Sequence, residues 1–122
     1  MKYKIDIVRI RENSITLNGW VLGKSPESRA TFRVEDERHN PVKYKLVTTR
    51  RDDVSQIYFK KTYDRDFGFD IQFPYERGKT YWLLIRCEGR QAKIKYNEEL
   101  IAKRSSVAHK RMEKIKDLMN ME

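Results

Sequence analysis

The feature that most constrains this chain is the alternation of hydrophobic and polar residues that recurs along its first 96 positions. A period of two places every second side chain on one face of a β-strand. About eight short runs of this kind follow one another at roughly 8–12-residue spacing, which is typical of an antiparallel sandwich or barrel. The clearest run directs four side chains toward the predicted core: Phe67, Phe69, Ile71 and Phe73.

Departures from simple alternation predict local features of these strands. The pattern shifts phase at Val8, which indicates a β-bulge in the first strand. Residues 81–85 are apolar throughout, as expected of a central strand covered on both faces. Ile57 and Phe59 alternate after the charged residues 50–53, so we predict a loop followed by a short strand there. No segment between the strands has a helical period, which argues against crossover helices and a parallel sheet.

The pattern changes at Asn97, where a helical period begins. Asn97 is a suitable N-cap, and no Gly or Pro interrupts residues 97–122. The sequence therefore predicts an all-β, Ig-like antiparallel sandwich of about eight strands over residues 1–96, followed by one amphipathic linker helix over 97–122. We expect Leu100 and Ile101 to pack on the sandwich. The second half of the helix has an apolar face that we expect to support a weak homodimer: Ala108, Met112, Ile115 and Met119.

Basic residues outnumber acidic ones by 27 to 18, which gives a net charge of +9. This balance favours contact with nucleic acid, an anionic membrane surface or an acidic partner, and it equally suits a solvated cationic surface without a ligand. Tyr44, Tyr58 and Phe59 alternate with the charges around them and are expected to face the core, which argues against a nucleic-acid platform. The candidate anionic-surface cluster consists of Lys43, Lys45, Arg50, Arg51, Lys60 and Lys61.

The residue types that enzymes use for catalysis are not grouped in this sequence. Residues 52–53 and 64–66 contain acidic pairs, but both pairs lie among arginines in predicted loops, where solvated turn carboxylates are the simpler interpretation. His39 and His109 have no local partner motif, and the scattered glycines form no phosphate-binding loop. We therefore expect no catalytic residue, no metal site and no cofactor in this chain.

The cysteine content and the absence of long apolar runs indicate a compartment. Cys87 is the only cysteine, so no internal disulfide can form, and a reduced cytoplasmic setting fits best. No apolar run approaches the roughly 18 residues needed to span a bilayer. The charged residues that follow Met1 interrupt any signal-peptide core. We expect a cytoplasmic protein whose cationic surface suits the inner face of the membrane.

Trp20 and Trp82 are the two candidates for contact with a glycan or a partner. A flat aromatic face stacks on a sugar or on a base. In sandwiches, a tryptophan packed against the sheet is the commoner arrangement. The sequence leaves both interpretations open for each tryptophan and favours core packing.

Four short motifs, taken in order, resemble one family of bacterial domains. Residues 15–23 read Ile-Thr-Leu-Asn-Gly-Trp-Val-Leu-Gly, and residues 50–54 read Arg-Arg-Asp-Asp-Val. Residues 67–71 read Phe-Gly-Phe-Asp-Ile, and residues 104–110 read Arg-Ser-Ser-Val-Ala-His-Lys. Together they resemble the N-terminal accessory β-sandwich domains that precede family 2 glycosyltransferase catalytic domains in Gram-positive bacteria, notably streptococci.

The resemblance implies a longer protein that builds cell-wall or capsular polysaccharide, with this chain as its non-catalytic N-terminal domain. The domain would position the enzyme, an acceptor glycan or a partner, and the helix would lead into a catalytic domain after Glu122. Asp64-Arg65-Asp66 matches the family's metal-binding Asp-x-Asp pattern only formally, because no buried parallel strand precedes it. The alternatives are an independent nucleic-acid-binding module and a dimerisation module that uses the helix. An exposed tryptophan beside a groove would favour glycan, whereas a continuous basic stripe would favour nucleic acid or membrane.

Overall fold

The computed structural model describes residues 1–103, which contain seven strands and a helix α1, followed by helical residues 98–103. The elements in chain order are β1 (Lys2–Arg11), β2 (Ser14–Leu22), β3 (Ala30–Asp36), β4 (Lys45–Thr49), α1 (Asp52–Phe59), β5 (Gly68–Pro74), β6 (Tyr81–Cys87) and β7 (Arg90–Tyr96). One sheet has the strand order β1-β2-β5-β4 and the other has the order β3-β6-β7. Every strand pair is antiparallel.

The inner faces of the two sheets meet in one hydrophobic core. Phe69, Ile71 and Phe73 of β5 are buried there, as the alternation predicts. Leu83 and Ile85 of β6 reach the same core from the other sheet and have no exposed surface. The predicted all-β antiparallel sandwich is therefore confirmed, with seven strands where the sequence pattern indicates about eight.

The first strand contains the predicted irregularity. The register between β1 and β2 shifts between Ile5 and Ile7, which leaves Asp6 as the extra residue of a β-bulge. The phase change at Val8 therefore does report a bulge, centred two residues earlier. Because of the bulge, Ile7 lies opposite Asn18 on the outer face of the sheet and is 40% exposed.

The predicted strand around Ile57 and Phe59 is wrong, because this segment forms helix α1. Acidic residues in its first turn interact favourably with the positive end of the helix dipole. At the other end, Lys60 adopts a left-handed conformation and its N–H donates to the carbonyl of Gln56. The apolar residues Ile57 and Phe59, two positions apart, do not indicate a strand here, because the helix buries Val54 and Ser55 instead.

The prediction that residues 81–85 are covered on both faces is also wrong. β6 is the central strand of its sheet, and its inward residues are buried. Its outward residues Trp82 and Leu84 are only half-buried. The run contains no polar residue because its outward positions also hold apolar side chains, Trp82 and Leu84, although that face is partly solvated.

The strand pattern ends at Tyr96, and Asn97 begins a helix as predicted. The amide N–H of Leu100 donates to Asn97 Oδ1 at 2.8 Å, which is an N-cap hydrogen bond. Ile101 packs into the inter-sheet core at 4% exposure, whereas Leu100 is exposed. The predicted dimer face, Ala108, Met112, Ile115 and Met119, lies outside the described residues, as does most of the predicted helix over 97–122.

Candidate functional site

Arg51 of the candidate anionic-surface cluster is engaged by two carboxylates. Its Nη2 lies 3.0 Å from Asp53 Oδ2, and its Nη1 lies 2.8 Å from Asp6 Oδ2. These hydrogen bonds raise the pKa of the Arg51 guanidinium. The side chain crosses β5 where Gly68 leaves room, since a Cβ there would overlap the Arg51 Cγ. Arg51 therefore fastens α1 to the bulge of β1 and is not free to bind a phosphate.

Arg50 is engaged in the same way. Its Nε lies 3.0 Å from Asp52 Oδ1, and its Nη1 lies 3.0 Å from Asp64 Oδ1. Asp66 accepts a hydrogen bond from Thr48 Oγ1 at 2.7 Å. Both acidic pairs of the sequence thus serve as partners of residues at the end of β4 and in the loop before α1.

The lysines of the candidate cluster remain exposed. Lys60 Nζ donates to the carbonyl of Ile57 at 3.0 Å, close to the C-terminal end of α1. Lys61 Nζ lies 5.6 Å from the centroid of the Tyr63 ring. Within residues 1–103, the cations of the cluster that have no carboxylate partner are its four lysines: Lys43, Lys45, Lys60 and Lys61.

Trp20 is packed in a second hydrophobic cluster and offers no free ring face. It is 7% exposed and lies with Leu22, Val54 and Phe67 under α1. Its ring centroid is 5.3 Å from that of Tyr58. The core interpretation holds for Trp20, and Phe67 points into this cluster, separate from the inter-sheet core.

The outer face of the three-stranded sheet, which we call the open face, carries more basic than acidic side chains. Strand register places its side chains in three rows across β3, β6 and β7: Glu35–Trp82–Lys95, Arg33–Leu84–Lys93 and Thr31–Arg86–Gln91. Four of these residues are basic and one is acidic, so the face is cationic. The Glu35 carboxylate is held by Arg33 Nε at 2.8 Å.

Trp82 lies at the centre of a short cationic site on this face. Lys93 Nζ is 4.5 Å from the centroid of its ring, and Lys95 Nζ is 5.6 Å away. Each such cation–π contact contributes about 0.5–1 kcal/mol at an exposed position. The contacts hold two ammonium groups beside a half-buried indole, which suits a ligand that combines negative charge with a flat or apolar surface.

The sequence identified Trp82 as a candidate but missed both lysines. The usable signal was the alternation in β7, where Ala92, Ile94 and Tyr96 point into the core. Lys93 and Lys95 must then share the opposite face. The residues of the neighbouring strand that lie beside these lysines depend on strand pairing and register, which the sequence alone does not specify.

Other reactive groups do not converge on a site within residues 1–103. His39 Nδ1 lies 3.4 Å from Glu35 Oε1 at the end of β3. Burial raises the pKa of the Cys87 thiol, which disfavours the reactive thiolate. No group of three or more metal-ligating side chains is found among these residues. Nor does the same part of the chain contain a helix that is long and apolar enough to cross a membrane.

The chain has a distant structural similarity to a solved protein. A DUF4426 family protein from Pseudomonas aeruginosa PAO1 shares 12% identity with this chain and has a TM-score of 0.38. The match covers 70% of this chain and 72% of that protein. A similarity of this size carries no argument about function. No family model matches the chain, and no curated protein matches it.

Proposed function

We propose that this chain is a non-catalytic accessory domain of a family 2 glycosyltransferase of cell-surface polysaccharide synthesis, and that it holds an anionic acceptor glycan. The observation that carries the proposal is Trp82 on the open face, with Lys93 and Lys95 beside its ring. The motif resemblance supplies the enzyme class, and the catalytic domain would follow in the same chain.

The chemistry of this site favours a charged saccharide over a small molecule. A sheet face is shallow, whereas small molecules bind mostly in concave pockets that enclose them. A polymer can lie along the rows of β3, β6 and β7 and contact several cations at once. Phosphate or carboxylate groups on the glycan would pair with the lysines, while the indole packs against a sugar ring.

Binding to carbohydrate polymers tests the proposal directly. The purified chain is titrated with polygalacturonate as a carboxylated glycan and with dextran as a neutral one. We expect at least tenfold tighter binding to polygalacturonate. Trp82→Ala should weaken that binding about tenfold, or about 1.4 kcal/mol, which lies within the range of about 1–3 kcal/mol for loss of an aromatic side chain that stacks on a nucleobase.

Charge variants distinguish binding at the open face from attraction by the total charge of the chain. Lys93→Gln/Lys95→Gln should weaken polygalacturonate binding, while the matched pair Lys43→Gln/Lys45→Gln should leave it unchanged. Equal binding to dextran, or an equal effect of both pairs, contradicts the proposal. Turnover of a nucleotide sugar by this chain alone would contradict its non-catalytic role.

The same face suits a second ligand class. Single-strand nucleic-acid binders also combine exposed aromatics with a basic surface. An oligothymidylate of about twelve residues therefore belongs in the titration, since a site of this kind covers roughly 4–16 nucleotides. Tighter binding to the oligonucleotide than to polygalacturonate, lost in Trp82→Ala, would make the chain a nucleic-acid-binding module.

A further inference from the structure

The C-terminal end of α1 presents two apolar side chains to solvent. Ile57 is 61% exposed and Tyr58 is 41% exposed. The helix beneath them is fixed, since Val54 and Ser55 are buried and Ser55 Oγ donates to the carbonyl of Lys61 at 2.5 Å. The Tyr58 ring itself packs against Trp20, with 5.3 Å between the ring centroids, and leaves its outer part in solvent. The exposed pair therefore sits on a firmly held support.

Cations surround this apolar pair. Lys2 Nζ lies 4.6 Å from the centroid of the Tyr58 ring, and Lys60 Nζ bonds to the carbonyl of Ile57. Lys61 follows directly in the chain. Among residues 1–103, the structure gives none of these three lysines a carboxylate partner within salt-bridge distance.

The acidic residues of α1 are at its other end. Asp52 and Asp53 lie in the first turn and are paired with Arg50 and Arg51. The helix is thus charge-neutral at its start and purely cationic at its end. The last carbonyls of the helix carry the negative end of its dipole, and Lys60 caps one of them.

We propose that this helix end, defined by Lys2, Ile57, Tyr58, Lys60 and Lys61, is a contact point for an anionic lipid surface. Lysines near such a surface each add attraction to acidic headgroups. A tyrosine with its polar tip and a branched aliphatic side chain can enter the boundary between headgroups and acyl chains. The contact lies on α1, so it goes beyond glycan binding by the open face.

The size of the patch decides between a membrane and a protein partner. A stable protein interface buries about 800 Å² on each partner. Two exposed apolar side chains on an eight-residue helix provide only a small part of that area. A lipid surface needs no matching shape, and shallow insertion adds to electrostatic attraction. The resulting contact is reversible and sensitive to salt.

Vesicle sedimentation with the full chain tests this contact. Vesicles contain phosphatidylcholine alone or phosphatidylcholine with phosphatidylglycerol. We expect binding to the anionic vesicles only, with a steep loss between 0.1 M and 1 M salt, as the Debye length falls from about 10 Å to about 3 Å. Ile57→Ser should weaken binding several-fold, and its unchanged denaturation curve would show that the variant is folded.

A matched pair of charge variants locates the contact. Lys60→Gln/Lys61→Gln should weaken vesicle binding about 25-fold, or about fivefold for each lysine. Lys93→Gln/Lys95→Gln removes the same charge from the open face and should change it less than about twofold. An equal loss in both pairs would show attraction by total charge and overturn the proposal.

The remaining outcomes separate the two proposals. If the wild-type chain does not bind anionic vesicles, the lipid contact is wrong, and an acidic protein becomes the partner to test for these lysines. That result leaves polygalacturonate binding and its dependence on Trp82 untouched. Conversely, vesicle binding that survives Trp82→Ala supports the helix end even if the open face binds no glycan.

Discussion

Trp20 and Trp82 occupy equivalent positions in their sheets, yet one is buried and the other forms part of a candidate binding face. Both point outward, away from the inter-sheet core. Trp20 is covered by α1 and by Phe67, whereas Trp82 is flanked by lysine side chains. The comparison shows that the elements crossing a sheet, and not the strand pattern, decide whether an outward tryptophan is buried or exposed.

The connections between strands explain the difference. The chain between β4 and β5 is long enough to contain α1 and to return over the outer face near Trp20. β6 and β7 are joined only by Glu88 and Gly89, at φ 54° and 76°. Two residues with positive φ form the tight type I′ hairpin turn, which adds no chain to cover the sheet.

Replacing each tryptophan in turn should give the largest contrast. Trp20→Ala removes a buried side chain and should lower the free energy of unfolding by about 3–5 kcal/mol. Trp82→Ala should lower it by only about 1–2 kcal/mol, since it removes two exposed cation–π contacts of about 0.5–1 kcal/mol each. Denaturation with urea measures both. Similar losses for the two variants would mean that the open face is covered in solution.

A smaller effect is expected at Gly68, which lies opposite Trp20 at the covered end of the sheet. A Cβ at this position would overlap Thr49 Oγ1 and Arg51 Cγ. Gly68→Ala should therefore lower the free energy of unfolding by about 1–3 kcal/mol, the usual cost of overpacking.

A double-mutant cycle attributes that loss to a specific neighbour. If the overlap with the Arg51 stem dominates, Gly68→Ala should cost less in an Arg51→Ala background than in the wild type. Additive losses would place the strain at Thr49 instead.

The smallest predicted effect is a dependence of stability on pH. The hydrogen bond from Arg51 holds the pKa of the Asp53 carboxyl below its ordinary value. A carboxyl with a lowered folded pKa stabilises the protein above its unfolded pKa of about 3.9, and that contribution is lost as the pH falls through the folded value. Asp53 is 62% exposed, so screening limits the contribution to less than about 1 kcal/mol.

Comparing wild type with Asp53→Asn isolates this carboxyl. The difference in unfolding free energy between them should be present at pH 6 and shrink between pH 4 and pH 2. A difference that stays constant across this range would show that Asp53 acts on the first turn of α1 by capping alone.

The parts of the fold set by local chemistry could be predicted from the sequence. Alternation gave the inward positions of Phe69, Ile71 and Phe73, and the side chain of Asn97 gave the start of the last helix. The segment that became α1 was misread because eight residues contain too few turns for a clear helical period. A better signal was the acidic pair followed by Val54, with aromatic residues four and five positions later.

The candidate site was predicted only in part, because it depends on strand pairing. Trp82 could be identified as a candidate binding residue from its residue type alone. Its lysine neighbours come from β7 through the register Trp82↔Lys95, which is a tertiary property. Likewise, the sequence counted Arg50 and Arg51 as free cations, since their carboxylate partners include Asp6, 45 positions away from Arg51.

The bulge at Asp6 has a consequence for the behaviour of many copies of this protein. Within residues 1–103, β1 lies at the edge of the four-stranded sheet and has ten residues. A long, regular strand edge is a template on which further chains can add and grow into fibrils. The extra residue interrupts that edge midway, and basic side chains on both sides of it repel an identical strand. The irregularity thus protects the protein from aggregating through its own first strand.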